Sequence, residues 1–580
     1  MENKRKIIVI VVCILSFLLV GLIVYKKLSS NDMKSFSTVD NIDVNVDKDT
    51  SDEEIDWSKY EEEQVSFKDG LIIDKAGVFE FTGNINGTIK VNAPDCDVKI
   101  ILNNVSIISS NGPAILVEEA NNTIISLIGE NYIEDSLNYS LDDDINATIF
   151  SKDDLILEGD GSLEVKANYS DGIVSKDDLK FNSGTYVIDS VDDAIRGKNA
   201  VYILDGKFNI TSSGDGIKST EADDNTKGYI LIENGDFNIE SELDGLQAES
   251  KLIINNGIFK ISTGGGSTNV STSENWGNWG KPGYGYNPSV SNDTLSAKAI
   301  KAVSNLVINN GIFEIDSSDD SIHSNAYVGI KDGTFDINSG DDGIHADTEL
   351  IIDGGNINIK KSYEGLESAK MTINGGQAEL VASDDGINIA GGNDSSAMNR
   401  PGANNYSSNS DNILVINGGD IKVSAVGDGI DVNGSAYIYS GNVFVSGPTD
   451  NGNGVLDYDK EFVVDGGKLV ATGSSGMAQG ISSSKQYGVV IYFTSNYNVG
   501  TKIAISDSDG DEVISTTLEK SSTMLIVSSS DFEKNKTYTI TIDGSKYTTF
   551  KTSSYITTVG NSGNMGIGGQ PGGGPGRPGR

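Results

Sequence analysis

The sequence predicts an all-β protein, a parallel β-helix with about 22 residues per rung and a small β module at its C-terminal end. Three observations predict this fold. An acidic tripeptide recurs with a period of 22 residues, a column of turn glycines keeps the same period, and apolar and polar residues alternate between the two markers. A regular period of this length is typical of solenoid architectures.

The first marker is Asp-Gly-Ile or a close variant of it. Neighbouring copies are mostly 22 residues apart, and Lys298-Ala299-Ile300 is a degenerate copy. Longer gaps correspond to loop insertions. The acidic positions are Asp171, Asp193, Asp215, Asp244, Asp320, Asp342, Glu364, Asp385 and Asp428.

The second marker is a turn glycine, usually preceded by Asn or Asp, with alternating residues on both sides. Leu252-Ile253-Ile254, Asn256-Gly257 and Phe259-Lys260-Ile261 form one example of strand, turn and strand. Asn-Gly is also typical of antiparallel hairpins, so a meander is the competing interpretation. Each period, however, repeats the same residue at the same phase, which favours stacked parallel strands. One such column contains Phe208, Phe237, Phe259, Phe313 and Phe335.

The predicted boundaries follow from changes in composition along the chain. Residues 1–28 are a membrane anchor or signal segment, because 7–25 are free of charge and long enough as a helix to span a bilayer. Residues 29–66 form an acidic, solvated linker. The β-helix occupies 67–480, with loop insertions at 263–296 and 391–412. Residues 487–552 form a small all-β module, and 566–580 form a disordered tail rich in Gly, Pro and Arg.

The anchor places the protein at the extracellular face of the cell membrane, as a single-pass protein attached through its N-terminal helix. The alternative is secretion after cleavage of a signal peptide. The chain lacks an Ala-x-Ala cleavage site after the apolar segment, which favours the anchor.

Charge and composition exclude several classes of function. The chain has 84 Asp and Glu against 43 Lys and Arg, a formal net charge of −41, so nucleic acid is excluded as a partner. Its two cysteines, Cys13 and Cys96, offer no disulfide framework. With only two histidines, there is little material for His-based metal sites or acid–base catalysis.

The run Ser170-Asp171-Gly172-Ile173, continued by Val174-Ser175-Lys176-Asp177-Asp178-Leu179, carries a family resemblance. Together with Gly214-Asp215-Gly216-Ile217-Lys218-Ser219 and the Gly264-Gly265-Gly266-Ser267 loop entry, it resembles clostridial cell-surface carbohydrate-binding proteins. The resemblance covers roughly residues 65–560. It implies a right-handed parallel β-helix similar to that of pectate lyases, association with calcium, and binding of cellulose or pectin-like acidic polysaccharides without established catalysis.

Stacked aspartates are candidate calcium ligands. Like carboxylates about 5 Å apart repel one another by about 1 kcal/mol in water and by more where solvent is limited, so a cation is expected between them. Ca²⁺ prefers carboxylate and carbonyl oxygens. The alternative is that these aspartates cap turns through bonds to their own backbone. The candidate ligands are Asp171, Asp192, Asp193, Asp215, Asp319, Asp320, Asp341, Asp342, Asp384 and Asp385.

Residues that follow the core Ile or Leu of each rung face away from the core. Arg196, beside Asp193 and Asp215, permits a lyase-type interpretation in which an arginine and calcium act on an acidic sugar. The paired aspartates permit a glycoside-hydrolase interpretation, although they recur on many rungs as scaffold features do. His323 and His345 are stacked neighbours. A zinc site there would need further ligands, so a surface ladder is expected.

Four aromatic residues in the first insertion are candidate sugar-binding groups: Trp276, Trp279, Tyr284 and Tyr286. Their glycine-rich segment has no apolar periodicity, and flat aromatic faces suit sugar rings. The alternative is that the loop packs its own aromatics against the helix. The favoured function is therefore non-catalytic polysaccharide binding with structural Ca²⁺. The alternatives are a polysaccharide lyase or glycoside hydrolase, and an adhesin or cell-wall spacer.

Overall fold

A computed structural model describes residues 37–46, 48, 55–66, 68, 71–139, 144–269, 296–390 and 412–561. This part of the chain is all-β, with one large, mostly parallel sheet and a small antiparallel sheet. Its only helical elements are 3₁₀ turns at Val39–Asn41 and Trp57–Lys59. No helix among these residues is long and apolar enough to cross a membrane, and the predicted anchor at 1–28 lies outside them.

The strands fall into three parts of the chain. The first strands are β1 (Glu62–Gln64), β2 (Ile72–Ile73), β3 (Gly77–Asn86), β4 (Ile89–Asn92), β5 (Asp97–Ile108), β6 (Ile115–Glu119), β7 (Asn122–Ile128), β8 (Glu130–Glu134), β9 (Ala147–Ser151), β10 (Asp154–Gly159) and β11 (Ser162–Ala167). The repeated strands are β12 (Asp171–Ser175), β13 (Asp178–Phe181), β14 (Thr185–Ser190), β15 (Ile195–Gly197), β16 (Ala200–Ile203), β17 (Lys207–Ser212), β18 (Ile217–Ser219), β19 (Tyr229–Ile232), β20 (Asp236–Ser241), β21 (Leu246–Ala248), β22 (Leu252–Ile254), β23 (Ile258–Thr263), β24 (Ile300–Ala302), β25 (Asn305–Ile308), β26 (Ile312–Ser317), β27 (Ile322–Ser324), β28 (Tyr327–Ile330), β29 (Thr334–Ser339), β30 (Ile344–Ile352), β31 (Asn356–Lys361), β32 (Leu366–Ile373), β33 (Gln377–Ala382), β34 (Ile387–Ile389), β35 (Ile413–Ile416), β36 (Asp420–Ala425), β37 (Ile430–Val432), β38 (Ser435–Ile438), β39 (Asn442–Ser446), β40 (Leu456–Tyr458), β41 (Glu461–Val464) and β42 (Lys468–Gly473). The last strands are β43 (Ser483–Ser484), β44 (Gly488–Tyr497), β45 (Lys502–Ser506), β46 (Glu512–Thr517), β47 (Ser522–Ser529), β48 (Thr537–Ile542), β49 (Ser545–Lys551) and β50 (Ile556–Val559).

Each 22-residue repeat supplies a short strand, a middle strand and a long strand. Each strand pairs in parallel with its equivalent in the repeat before and the repeat after, as β14, β17, β20 and β23 do. The register matches the repeat, since Ile195 lies opposite Ile217 and Phe237 lies opposite Phe259. The predicted period and the parallel pairing of its strands are confirmed.

The core is a set of stacked columns of identical side chains. Neighbouring phenylalanine rings in the predicted column are nearly coplanar, with centroids 4.7 Å apart for Phe237 and Phe259 and 4.8 Å apart for Phe259 and Phe313. The turn glycine is required beneath each ring: Gly257 has φ of +143°, and a Cβ there would lie 2.7 Å from the ring of Phe259. The recurrence of Gly two residues before Phe therefore has a steric cause.

Both ends of the large sheet are covered. At the first edge, β1 pairs with β3 and exposes Glu62, Glu63 and Gln64. At the other edge, β42 pairs antiparallel with β47 of the C-terminal module. Charged edge strands and covering strands both oppose edge-to-edge aggregation. The module thus closes the last repeat, a role that its sequence alone did not indicate.

One part of the predicted solvated linker is buried. Val39 and Ile42 are 3% and 8% exposed and pack against Val307 and Ile351 on the outer face of the middle strands. A Cβ on Gly329 would lie 2.6 Å from Ile42, so this glycine makes room for the segment. The expectation of a solvated linker is wrong here, because Val39, Ile42, Val44 and Val46 supply an apolar stripe that the surrounding acids conceal.

The ring column generates a stability prediction. Phe259→Ala should lower the free energy of unfolding by about 3–5 kcal/mol, because it leaves a cavity between two stacked rings. The control is Ile258→Ala, one residue away on the outer face, where the side chain is 53% exposed. Urea unfolding followed by circular dichroism measures both; equal destabilisation by the two substitutions would contradict the stacked core.

Candidate functional site: a column of carboxylates beside the short strands

The long insertions of the repeat all border the short strands. The loop from Thr220 to Lys227 follows β18, and the second insertion begins after β34. The described base of the first insertion lies between β23 and β24, where Thr263 Oγ1 donates to the Ala297 carbonyl at 2.5 Å. Insertions of repeat proteins commonly surround a binding face. The short strands are therefore the place to look for function.

An acidic residue precedes the short strand in most repeats. These residues occupy equivalent positions on successive repeats, and we call them the acid column. Its members are Asp171, Asp193, Asp215, Asp244, Asp320, Asp342, Glu364, Asp385 and Asp428, with Lys298 standing at the equivalent position of one repeat.

One carboxylate oxygen of the column has a structural role. The backbone N–H of Asp215 donates to Asp193 Oδ1 at 2.9 Å, and that of Asp244 donates to Asp215 Oδ1 at 2.8 Å. The same bond recurs later in the column, where the N–H of Asp428 donates to Asp385 Oδ1 at 2.6 Å. Each carboxylate thus satisfies a buried N–H of the next repeat. The alternative that these aspartates cap backbone groups is supported, although the bond runs to the next repeat rather than to the same turn.

In the first half of the column the second oxygen faces a basic side chain three residues further along. Lys218 Nζ lies 2.5 Å from Asp215 Oδ2, and Lys301 Nζ lies 3.2 Å from Asp244 Oδ2. The Arg196 guanidinium pairs with Asp171. These acids therefore have positive partners within the protein.

In the middle of the column, Lys298 and two histidines supply the positive charge. Lys298 Nζ lies 2.7 Å from Asp320 Oδ2, and His323 Nδ1 lies 2.9 Å from the same oxygen. Burial alone would raise the pKa of Asp320, but these neighbours, Lys298 first, hold it well below the usual value. The expected surface ladder of histidines is wrong: His323 and His345 are 3% and 0% exposed, because the loops beside the short strands cover them.

At the C-terminal end the column has carboxylates without basic partners. Within the described part of the chain, no ion pair reaches Asp384, Asp385, Asp428 or Asp431. Burial and neighbouring carboxylates raise the pKa of Asp385 to about 8, of Asp431 to about 7 and of Asp428 to about 6. These acids are the least compensated charges of the column.

A buried amide oxygen lies in this same end. Asn388 is 6% exposed and stands between Glu367 and Asp431 on adjacent short strands. Its Nδ2 donates to Glu364 Oε2 at 2.6 Å, while its Oδ1 has no hydrogen-bond partner. A buried acceptor without a donor costs free energy unless a cation or a water reaches it.

The structure brings the predicted metal ligands together in groups. Asp171, Asp192 and Asp193 form one cluster, and Asp319, Asp320 and Asp341 form another. Asp342 joins His345 and Glu367 in a third cluster. The two Oδ1 atoms of Asp384 and Asp385 converge on Gly427, where a Cβ would lie 2.3 Å and 2.4 Å from them. Trp276, Trp279, Tyr284 and Tyr286 lie outside the described residues, as do residues 391–411 and 566–580.

Sequence reasoning missed several members of the site. Asp428 shares the phase of the column and could have been included on that ground; the requirement for Asp-Asp pairs left it out. Asp431, Asp457 and Asn388 follow the core Ile or Leu by one residue. That phase was recognised, yet the convergence of these side chains on the acid column follows from the way the chain turns, which periodicity does not report.

Comparison with known proteins identifies the family. The profile of the carbohydrate-binding domain-containing protein family matches residues 68–343 and 341–386, together more than half of the chain. The chain belongs to this family. A carbohydrate-binding domain-containing protein from Acetivibrio thermocellus is 29% identical over 168 residues, 28% of this chain and 54% of that relative. The chain thus matches about half the length of that protein.

A solved structure is also similar to part of the chain. It is that of the polysaccharide lyase-like protein from C. thermocellum, a gadolinium derivative. The match has 28% sequence identity and a TM-score of 0.33, and it covers 35% of this chain and 90% of that one.

The uncompensated end generates a pH prediction. In the folded protein Asp385 keeps its proton up to pH of about 8, whereas the model value is 3.8. Between these limits the folded state binds the extra proton, so this group's contribution to stability falls as pH rises. Asp385→Asn keeps the Oδ1 acceptor and cannot ionise. In chelator, its unfolding temperature should therefore rise relative to the unsubstituted protein as pH goes from about 4 to about 8.

The control for this comparison is Asp236→Asn, on the exposed face of β20. This variant should follow the unsubstituted protein across the same pH range, measured by differential scanning calorimetry. A constant difference between Asp385→Asn and the unsubstituted protein from pH 4 to pH 8 would contradict the raised pKa of Asp385.

Proposed function

We propose that this protein binds polysaccharide at the outer surface of a bacterial cell without cleaving it, and that Ca²⁺ is a structural ion of the acid column. The observation that carries the proposal is membership of the carbohydrate-binding domain-containing family. The ligand is a cellulose or pectin-like polysaccharide. Residues 1–28 form a single-pass anchor, with secretion after signal cleavage as the alternative.

The fold that presents this surface is, in our proposal, a right-handed parallel β-helix. Three strands per repeat, each paired in register with its equivalents, support this winding. The apolar side chains of successive repeats form one continuous core from Ile73 to Ile526. Such a winding places the acid column along one line and gives the protein a long flat side for an extended polymer.

The calcium site that the side chains fit best is the C-terminal end of the acid column. Asp385, Asp428 and Asp431 supply carboxylate oxygens, and Asn388 supplies its unpartnered amide oxygen. These are hard oxygen donors of the kind that Ca²⁺ binds, six to eight at a time. Asp171, Asp193 and Asp215 fit an ion less well, because Arg196 and Lys218 already neutralise them.

The aromatic insertion is joined to the acid column at its base. Ser296 Oγ donates to Asp244 Oδ1 at 2.7 Å, and the N–H of Ser267 donates to Asp316 Oδ1 at 2.7 Å. The insertion that carries Trp276, Trp279, Tyr284 and Tyr286 therefore leaves the sheet beside the short strands. Aromatic side chains there would stack on sugar rings. A chain with a net charge of −41 repels an anionic polymer unless Ca²⁺ bridges the two, whereas a neutral glucan carries no such penalty.

A binding role is favoured over a lyase role by the surroundings of Arg196. Its guanidinium donates to Asp171 and, at 3.0 Å, to Asn146 Oδ1. Asp171 is fully buried. An arginine held in this way is not available to take a proton from a sugar, so the arginine serves the column itself.

Glycan binding is tested with the three tryptophans of the chain. In Trp57→Phe the only remaining tryptophans are Trp276 and Trp279, so its fluorescence reports on the insertion alone. Addition of soluble cello-oligosaccharide or oligogalacturonate should change this fluorescence. Replacing Trp276, Trp279, Tyr284 and Tyr286 together by alanine should lower retention on insoluble polysaccharide at least about tenfold, since each stacking contact contributes roughly 0.5–1.5 kcal/mol.

The same pull-down, repeated with a chelator, separates the two ligand classes. Retention on pectate should depend on Ca²⁺, and retention on cellulose should not. Trp57→Phe is the matched control, because Trp57 lies near Lys99 on another part of the sheet. Failure to retain either polymer, with and without Ca²⁺, would overturn the proposed function; new reducing ends or unsaturated products would replace it with an enzymatic one.

A further inference from the structure

The two histidines of the chain meet in the middle of the acid column. His323 and His345 lie opposite each other on β27 and β30, with ring centroids 4.9 Å apart. Both are buried, at 3% and 0% exposure. Isolated surface histidines have no such neighbours, so their surroundings need a specific explanation.

The second ring nitrogen of each histidine is held by an oxygen. His345 Nε2 lies 3.1 Å from Asp347 Oδ1, and His323 Nε2 lies 2.9 Å from Asn325 Oδ1. The carboxylate of Asp347 accepts a hydrogen bond, so His345 Nε2 carries the proton. This arrangement leaves Nδ1 as the free lone pair of a neutral ring. Histidines that bind metals usually donate their other N–H to a carboxylate or carbonyl in this way.

The Nδ1 atom of His345 faces two further acceptors. Asp342 Oδ2 lies 3.0 Å from it and Glu367 Oε2 lies 3.1 Å from it. A lone pair directed at two carboxylate oxygens is repulsive unless a positive centre lies between them. A proton on Nδ1 forms one well-aligned bond, whereas a metal ion bonds to all three atoms at once.

The distances fit a shared ion. Zinc bonds to nitrogen and oxygen are 2.0–2.2 Å long, so the donors around one tetrahedral zinc are about 3.3–3.5 Å apart. The observed 3.0 Å and 3.1 Å are within a few tenths of an ångström of that spacing. Donor atoms of Asp320, His323 and His345 likewise lie within 4.8 Å of one another, as do those of Asp342, His345 and Glu367. His345 belongs to both sets.

We propose that His345 is the centre of a binding site for one divalent transition-metal ion of the Zn²⁺ type, with its other donors drawn from Asp320, His323, Asp342 and Glu367. Imidazole nitrogens mixed with carboxylates suit zinc, iron and nickel better than calcium, which prefers oxygen alone. The acid column then holds two kinds of ion: a transition metal at the histidines and a hard cation near Asn388. Lys298 occupies the Asp320 side of the site and sets its limit in that direction.

The test uses the full-length chain without an affinity tag, freed of metal by a chelator and supplied with excess Ca²⁺ to fill the oxygen sites. Titration with Zn²⁺ in a calorimeter should give one equivalent per chain, and Co²⁺ should give visible ligand-field absorption. His345→Gln, which removes Nδ1 and keeps a polar group near the position of Nε2, should abolish both signals. Asp347→Ala should weaken zinc binding by about 10–100-fold, the usual effect of losing the partner of a ligating histidine.

The matched control is Asp384→Asn with Asp385→Asn, which should bind zinc as the unsubstituted chain does. Nuclear magnetic resonance of ¹⁵N-labelled histidine keeps the test decisive if a variant fails to fold, since the spectrum contains only two imidazoles. Zn²⁺ should shift the Nδ1 resonance of His345. An Nδ1 that carries a proton and ignores Zn²⁺ would identify His345 as a buried imidazolium and overturn the proposal, as would a zinc signal that survives His345→Gln.

Discussion

Stacking a carboxylate on its own copy at every repeat is the constraint on which this structure depends. The repeat brings like charges to neighbouring strands, where they repel one another, and burial makes the repulsion stronger. One oxygen of each acid is engaged by the backbone N–H of the next repeat, for example Asp193 with Asp215. The other oxygen needs a positive partner. The partner changes along the column, from arginine and lysine to histidine and then to carboxylates without any basic side chain.

This change divides the column into a scaffold and a candidate ion site. Where Arg196, Lys218 and Lys301 follow the acids, the column is complete within the protein. Towards the C-terminal end, Asp385, Asp428 and Asp431 retain protons at neutral pH or need a cation. A surface of this kind positions bound cations and an anionic or neutral polymer rather than a single catalytic pair, because its acids recur on many repeats. The described loops, from Thr220 to the base of the first insertion, surround the same strands.

The sequence carried enough information for the repeat and little for the side-chain contacts across it. A period of 22 residues and the phase of Phe259 or Asp215 predict which residues lie next to one another on parallel strands, and the structure agrees. The burial of His323 and His345 did not follow, because loops from other parts of each repeat cover them. The buried stripe from Val39 to Val46 was hidden by the acids around it, and its docking site on Gly329 lies almost 300 residues away. Contacts over such separations are set by the winding of the chain.

The central claim, that a cation completes the C-terminal end of the acid column, is tested most directly by the unfolding temperature at pH 8 with and without Ca²⁺. Two matched pairs of aspartates make the comparison specific: Asp384 and Asp385, without basic partners, and Asp192 and Asp193, beside Arg196 and Lys218. Ca²⁺ should raise the unfolding temperature of the unsubstituted protein and of the Asp192→Asn, Asp193→Asn variant. It should leave that of the Asp384→Asn, Asp385→Asn variant unchanged. An equal increase in all three proteins would contradict the claim.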